Sequence, residues 1–323
     1  MKKIKKLLVP VSFLLALFSA VGFAGEYNLY FGGTHSHTSF SDGKKMPEDA
    51  WDTARGGGCD FWYVTDHYHS LSDVESHPEG SQGVKEWDYE MEVAGKKTED
   101  GKFLALLGWE WSDGDFGHMN VLFDPAEPPP MLMTGVYDRF ISYWLRKHRD
   151  SLTGFNHPLW SEGKGMNNFR DFEFVPKIAQ QVVYMEISFL DEVHYFYRAL
   201  DRGWRIAPLA AQDNHDPDWC LRGELVGVYA EELTGESLKE AFIARRFYAT
   251  TDRGLILSFR GNGEEMGSLV AADSVELEIG VSHREQKTPK LVRLVTNGAE
   301  VLKEWEPEPG EFNASYRVDV EGE

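Results

Sequence analysis

The stretch GGTHSHTSFSDG, Gly32 to Gly43, decides how the rest of the chain is read. It continues the short apolar run NLYFGG, which reads as a β-strand, and it carries His35 and His37 one residue apart, with Asp42 just ahead of a glycine. Alternate residues of a strand share a face, so the two imidazoles point the same way and can grip one cation. Asp42 follows a short turn that Gly43 helps the chain to make, which brings its carboxylate back over a neighbouring position. One such pair is weak evidence, and its weight depends on whether similar residues recur at other strand ends.

Downstream, apolar β-like runs alternate with helical patterns. A helix is predicted from Pro47 to about Ala54, stopped by Gly56, Gly57 and Gly58, and DFWYVT follows as a strand. Next come an amphipathic stretch from Val84 to Ala94, the runs FLALLGWEW and MNVLF, and a helix from Gly135 to Arg149. The strands LTGFN and VVYMEIS, a helix from Glu192 to about Gly203, and RIAPLAA complete the pattern. Near-continuous apolar strands covered by helices imply an α/β fold with a mostly parallel sheet, and the number of units favours a barrel over an open doubly wound sheet. A further helix is expected from Glu236 to Arg246. From Gly254 onward the texture changes to turn signals and the runs LILSFRG, VELEIGVS, LVRLVTNG and ASYRVDV, which predict a small β-sandwich. The expected organisation is a signal peptide at 1–24, a barrel at 25–252 and a C-terminal β-sandwich-like domain at 253–323. The last run ends at VEGE, so we expect the sandwich to lack a closing strand or two and to leave an edge exposed.

Composition narrows the function classes. The chain has 323 residues, 42% hydrophobic and 27% charged, enough to bury a sizeable core. MKKIKK followed by LLVPVSFLLALFSAVGFA reads as a bacterial-type export signal cleaved after Ala24, giving a periplasmic or secreted protein. A membrane anchor fits less well, because Pro10 and Ser12 interrupt a short apolar stretch that leads into Gly25 and Glu26 with no positive charge on that side. Loss of Lys2, Lys3, Lys5 and Lys6 takes the net charge from −20 to −24. Such a surface repels nucleic acid and anionic lipid unless a metal cluster locally reverses the sign, so a small-molecule substrate is expected. Cys59 precedes one strand and Cys220 follows another; in a parallel arrangement the sulfurs lie at opposite ends, and two free thiols are expected.

The unusual polar residues recur at strand ends. His35 and His37 follow the first strand, and Asp66 and His67 the second. Glu110 ends the third within LGWEW, and His118 opens the next. His157 follows LTGF, Glu186 lies near the end of VVYMEIS, and Asp213 and His215 follow RIAPLAA. In a barrel the carboxyl ends of the strands converge on one rim, so these residues meet there. Imidazoles and carboxylates without thiolate suit Zn, Mn or Fe, and so many of them imply two or three divalent ions. Any one of these histidines alone reads as a core residue with satisfied hydrogen bonds; their recurrence on one side of successive strands favours the metal reading.

The motifs HSHTSFSDG, TDH, GWE, GHMN, NHP and QDNH, in that order, resemble the signature of the PHP (polymerase and histidinol phosphatase) superfamily over Glu26 to Thr251. RFYATTDRG followed by a β-rich tail is similar to the carbaryl-hydrolase-like (CehA/McbA) branch. The resemblance implies a distorted (β/α)7 TIM-like barrel with a trinuclear centre. It assigns His35, His37 and Asp213 to a first ion, with Glu110 bridging to a second held by His118 and His157, and Asp42, His67 and His215 to a third. Gln212 stands where the family usually has a small residue, which is not expected to remove a ligand.

The chemistry implied is hydrolysis. Clustered cations bring the pKa of a bridging water near neutrality, and the resulting hydroxide attacks a phosphoester, the preferred substrate, or an ester, amide or carbamate carbonyl. Glu110 and Asp213 act catalytically through the ions. Asp66 either accepts a hydrogen bond from a ligand histidine, protonates the leaving group, or is an ordinary strand-end aspartate, and Glu186 stands in the same position. Trp160, Trp219 and Arg222 fall on loops near the expected mouth. His69 lies near the rim and His77 in the polar connection SHPEGSQG; His148, His194 and His283 read as structural or solvated. A competing class is a surface- or carbohydrate-binding protein with structural metals, but structural sites are closed and use four ligands per ion.

Overall fold

Asn28–Gly33 (β1) pairs in parallel with Phe61–Val64 (β2), Gly32 opposite Phe61 and Gly33 opposite Trp62, and β2 pairs in parallel with Leu104–Leu107 (β3). The two glycines are required by packing, since a Cβ on Gly33 would sit 2.4 Å from the Trp62 ring. The computed structural model describes residues 27–71, 85–123 and 137–320. The export signal at 1–24, Val84, His77 with the SHPEGSQG connection, and the first residues of the helix expected from Gly135 lie outside the described residues.

The chain builds two five-stranded sheets. The second is formed by Trp109–Asp113 (β4), Gly117–Leu122 (β5), Leu152–Phe155 (β6), Val182–Glu186 (β7) and Ala207–Leu209 (β8), in that order. The first sheet is completed by Leu225–Ala230 (β9) and Phe247–Thr250 (β10), in the order β10-β9-β1-β2-β3. Neither β9 nor β10 is among the strands expected from sequence.

One apolar cluster draws on both sheets, with Phe61, Tyr63 and Val228 from one and Leu122, Tyr184 and Leu209 from the other. Helices such as Pro47–Gly56 and Glu86–Lys97 cover the outer face of the first sheet. Bridges Ser36–Asn214 and His67–Glu110 tie the sheets together at one end.

Two expectations are corrected. The sheets are not mostly parallel, because β4–β5, β5–β6, β1–β9 and β9–β10 are all antiparallel. The β4–β5 connection has no room for a crossover helix: the Asp113 carboxylate accepts hydrogen bonds from the backbone of Asp115 (2.8 Å) and Phe116 (3.0 Å), closing a tight hairpin. The hydrogen-bonded ladder also does not close into a single (β/α)7 barrel; among the described residues it is interrupted into two five-stranded sheets.

Beyond β10, Leu255–Gly261 (β11), Glu264–Glu265 (β12), Ser274–His283 (β13) and Phe312–Asp319 (β16) form one antiparallel sheet, and Val292–Val295 (β14) with Val301–Trp305 (β15) a separate hairpin. This is a four-stranded sheet plus a hairpin in place of the expected sandwich of two sheets. Trp305 packs its ring 5.6 Å from that of Phe312, which joins the hairpin to the sheet.

The thiol expectation is overturned as well, since Cys59 and Cys220 form a disulfide with Cα atoms 6.2 Å apart. The reason is the path after β8. From Asn214 at the strand ends the chain doubles back beside the first sheet, so Cys220 lies against Gly57, at the end where β2 begins. Among the described residues no helix is long and apolar enough to cross a membrane.

Candidate metal centre

The nine expected ligands come to one place at the ends of the strands. Leaving β1, the backbone of His37 donates to the Asn214 carbonyl (2.8 Å) while Thr65 donates to Ser36 (2.8 Å), which sets His35 and His37 beside the segments that carry Asp213, His215 and His67. Glu110 on β4 lies diagonally across from His118 on the antiparallel β5, where His118 is opposite Ser112, and His157 follows β6. His157 (φ 26°) and Asp213 (φ 44°) both hold backbone conformations that non-glycine residues rarely adopt, a common feature of functional sites.

Three overlapping groups of donor atoms result, each with all its atoms within 4.8 Å: His37, Asp42, His67 and His215; His35, His37 and Asp213; and His35, Glu110 and His157. In the second group the Nε2 atoms of His35 and His37 are 3.1 Å apart, and each lies within 3.2 Å of Asp213 Oδ1. In the third, Glu110 Oε1 is 3.3 Å from His35 Nε2 and 3.4 Å from His157 Nε2, with His118 Nδ1 at 3.2 Å. In the first, Asp42 Oδ1 is 3.2 Å from His215 Nε2 and 3.6 Å from His67 Nε2. Asp213 Oδ1 is buried yet meets no hydrogen-bond donor of good geometry. Two imidazole nitrogens and a carboxylate oxygen converging on one point make a donor set for a cation, and the absence of thiolate suits a hard or borderline divalent ion.

Neighbouring side chains aim the donors. Glu186 accepts the His35 Nδ1–H at 2.8 Å, which leaves Nε2 with a free lone pair toward the centre, and its other oxygen accepts the His157 backbone N–H at 3.0 Å. The Ser112 hydroxyl lies 2.6 Å from His67 Nδ1, and His215 Nδ1 donates to the Asp213 carbonyl at 3.0 Å. Asn156 donates to Glu110 Oε1 at 2.9 Å. Asp66 is buried and accepts from the Thr38 backbone (2.8 Å), the Thr38 hydroxyl (2.5 Å) and the Ser41 hydroxyl; it steadies the loop from His37 to Asp42 and spends these bonds on no histidine. Behind it, burial and the Asp66 charge push the Glu90 carboxyl well above its ordinary range. Gly43 closes the same loop, and a Cβ there would meet the His37 carbonyl at 2.5 Å.

Electrostatically the centre is short of positive charge. Burial opposes protonation of His67, but hydrogen bonds to Asp42 and Glu110 win and raise it to about 10. His215 rises to about 9, chiefly through Asp42. His35 rises well above its ordinary range because Glu186, Asp213 and Glu110 outweigh burial, whereas burial keeps His37 low. Despite burial, Glu110 is held well below the usual carboxylate range by His118 and His35.

The remaining expected residues divide. Trp160 is at the mouth, its ring centroid 4.9 Å from His157 and 5.3 Å from His118. Trp219 is not; it is buried in the apolar cluster with Trp51 and Trp62, because the doubling back of the chain carries it behind the first sheet. Arg222 pairs with Asp218 at 2.7 Å. Gln212 holds its own loop, donating to the carbonyls of Arg222 and Glu224. His69 stacks 5.4 Å from His67, His148 stacks 4.2 Å from Trp144, His194 bonds the Asp191 carbonyl and His283 pairs with Asp252. Ser112 and Asn156 were not singled out from sequence. Their signal was position alone, Ser112 two residues along a strand from Glu110 and Asn156 adjoining His157.

No protein-family model matches the chain, and no curated relative does. Among solved structures, the chain is similar to a two-domain protein from Bacteroides vulgatus containing a predicted PHP-like metal-dependent phosphoesterase, with a TM-score of 0.55 and 16% identity over 92% of this chain and 88% of that one. PsfC from Pseudomonas syringae gives 0.47 at 13% identity over 69% of this chain and 91% of that one. Endonuclease Q bound to a duplex with an abasic lesion gives 0.39 at 14% identity over 67% of this chain and 56% of that one. The first of these shows that the chain shares the fold of that protein.

Proposed function

We propose that the chain is an exported metal-dependent hydrolase acting on phosphoester bonds of a small molecule, with two or three divalent ions of the Zn, Mn or Fe kind. One observation carries this reading: three donor groups overlap through His35 and His37, so that ions held in them would be neighbours. When bound, such ions supply Lewis acidity and an activated water. His35, His37 and Asp213 would hold one, Glu110 with His118 and His157 a second, and Asp42, His67 and His215 a third. Glu186 orients His35 and fixes the His157 backbone, while Asp66 holds the loop that carries His37 and Asp42. The PHP-like fold supports the same reading.

Export is supported by the Cys59–Cys220 disulfide, since such bonds persist in oxidising compartments, and by the charged and apolar segments at 1–24. Exclusion of nucleic acid rests on the net charge of −20. The test is turnover of p-nitrophenyl phosphate, its diester and 1-naphthyl methylcarbamate with Zn and Mn supplied in turn, repeated for Glu110→Ala. Phosphoester cleavage lost in a folded Glu110→Ala is expected; faster carbamate cleavage would reassign the bond, and no cleavage by metal-loaded protein would favour a binding role.

A further inference from the structure

We propose that Trp160 makes the mouth of the metal centre an aryl subsite, so that the favoured substrates are phosphoesters with a planar aromatic leaving group. The inference rests on the hydrolase reading above and names the substrate class of the same site.

Trp160 is the third residue of the helix Pro158–Gly163, which begins directly after His157, so its position is tied to that of a candidate ligand. Pro158 at the first helical position and the hydrogen bond that the His157 backbone donates to Glu186 fix that entry. The indole borders His157 and His118, whose ring nitrogens both lie within 3.4 Å of Glu110 Oε1.

Trp51, Trp62, Trp109, Trp111 and Trp219 are fully buried, whereas Trp160 is 46% exposed. An apolar rim beside a strongly charged centre is poorly solvated unless a ligand covers it. The Lys164 ammonium lies 5.6 Å from the indole centroid, a cation–π contact that helps to hold the ring in place.

An aromatic group packed on the indole should be worth about a fivefold to tenfold gain in affinity. Calorimetric titration of the zinc-loaded full chain with phenylphosphonate and methylphosphonate measures this without turnover. The wild type should prefer phenylphosphonate by that factor. Trp160→Ala should lose the preference with unchanged zinc content and unchanged methylphosphonate affinity, and Trp160→Phe should keep most of it. Equal affinity of the wild type for both probes, binding of neither, or a preference that survives Trp160→Ala overturns the inference. A Trp160-dependent preference in protein that cleaves no phosphoester supports the subsite while removing the hydrolase reading; cleavage without the preference does the reverse.

Discussion

Glu186 illustrates how much of the centre is arranged by residues outside the donor groups. Its two oxygens serve two masters, the His35 ring and the His157 backbone, which follow different strands. Glu186→Gln keeps the shape but can accept on one side only, so one of the two loses its anchor. We predict a roughly 10–100-fold loss of metal affinity with the fold intact, read by chelator competition and circular dichroism. The histidines give a second prediction. In the metal-free protein, the raised His67 and His215 contribute stability that is full below about 6.5, their unfolded value, and is lost as pH climbs through about 9 to 10. The depressed Asp42, Glu110 and Asp213 contribute stability that is lost as pH falls below their unfolded range near 4. Metal must displace the histidine protons, so binding at pH 7 should release protons, and apparent affinity should rise from pH 6 toward pH 9. Calorimetry in two buffers of different ionisation enthalpy measures the release, and no buffer dependence would remove the proton-for-metal exchange. At this scale much was legible, because HxH at a strand end and the later Asp, Glu and His positions name themselves by chemistry. Ser112 and Asn156 did not, since a serine or an asparagine beside a ligand looks like any other loop or strand residue.

At the scale of elements, the disulfide ties the segment carrying Asp213 and His215 to the sheet that carries His35. The Cys220 backbone also donates to Gln212 at 3.2 Å, and Arg253 bonds both the Gly57 and Cys220 carbonyls. Cys59→Ser with Cys220→Ser should lower stability by about 2–4 kcal/mol, and a reductant should shift the melting temperature of the wild type but not of the double variant. An unchanged melting temperature would show that the Arg253 contacts suffice. This element was misread because its neighbour β8 looked parallel to β2, while nothing in AAQDNHDPDWC announces that the chain turns back. The hairpin between β4 and β5 was missed for another reason. The run FLALLGWEW reads as one strand, whereas it breaks at Gly108 into β3 and β4, which belong to different sheets.

On the scale of the whole molecule, the C-terminal sheet is packed and hydrogen-bonded onto the rest. Tyr229 and Tyr248 donate their hydroxyls to the Leu257 and Leu255 carbonyls at 3.0 and 2.7 Å, and Leu257 and Phe259 pack on the cluster that contains Trp62 and Cys220. Truncation before Gly254 should therefore expose this face and yield aggregated protein, measured by size-exclusion chromatography; a soluble, metal-binding truncation would show the sheet to be an appendage. The alternation of apolar runs announced the C-terminal strands, but the partner that each face finds is a long-range property that spacing does not carry.

The central claim is that donors spread from His35 to His215 hold adjacent cations. Its most direct measurement is the number of divalent ions retained per chain by elemental analysis after exhaustive dialysis of zinc- or manganese-loaded protein. The account predicts two to three ions in the wild type and a clear drop in His35→Ala, because His35 belongs to two donor groups. Less than one ion per chain in well-folded wild-type protein would contradict it.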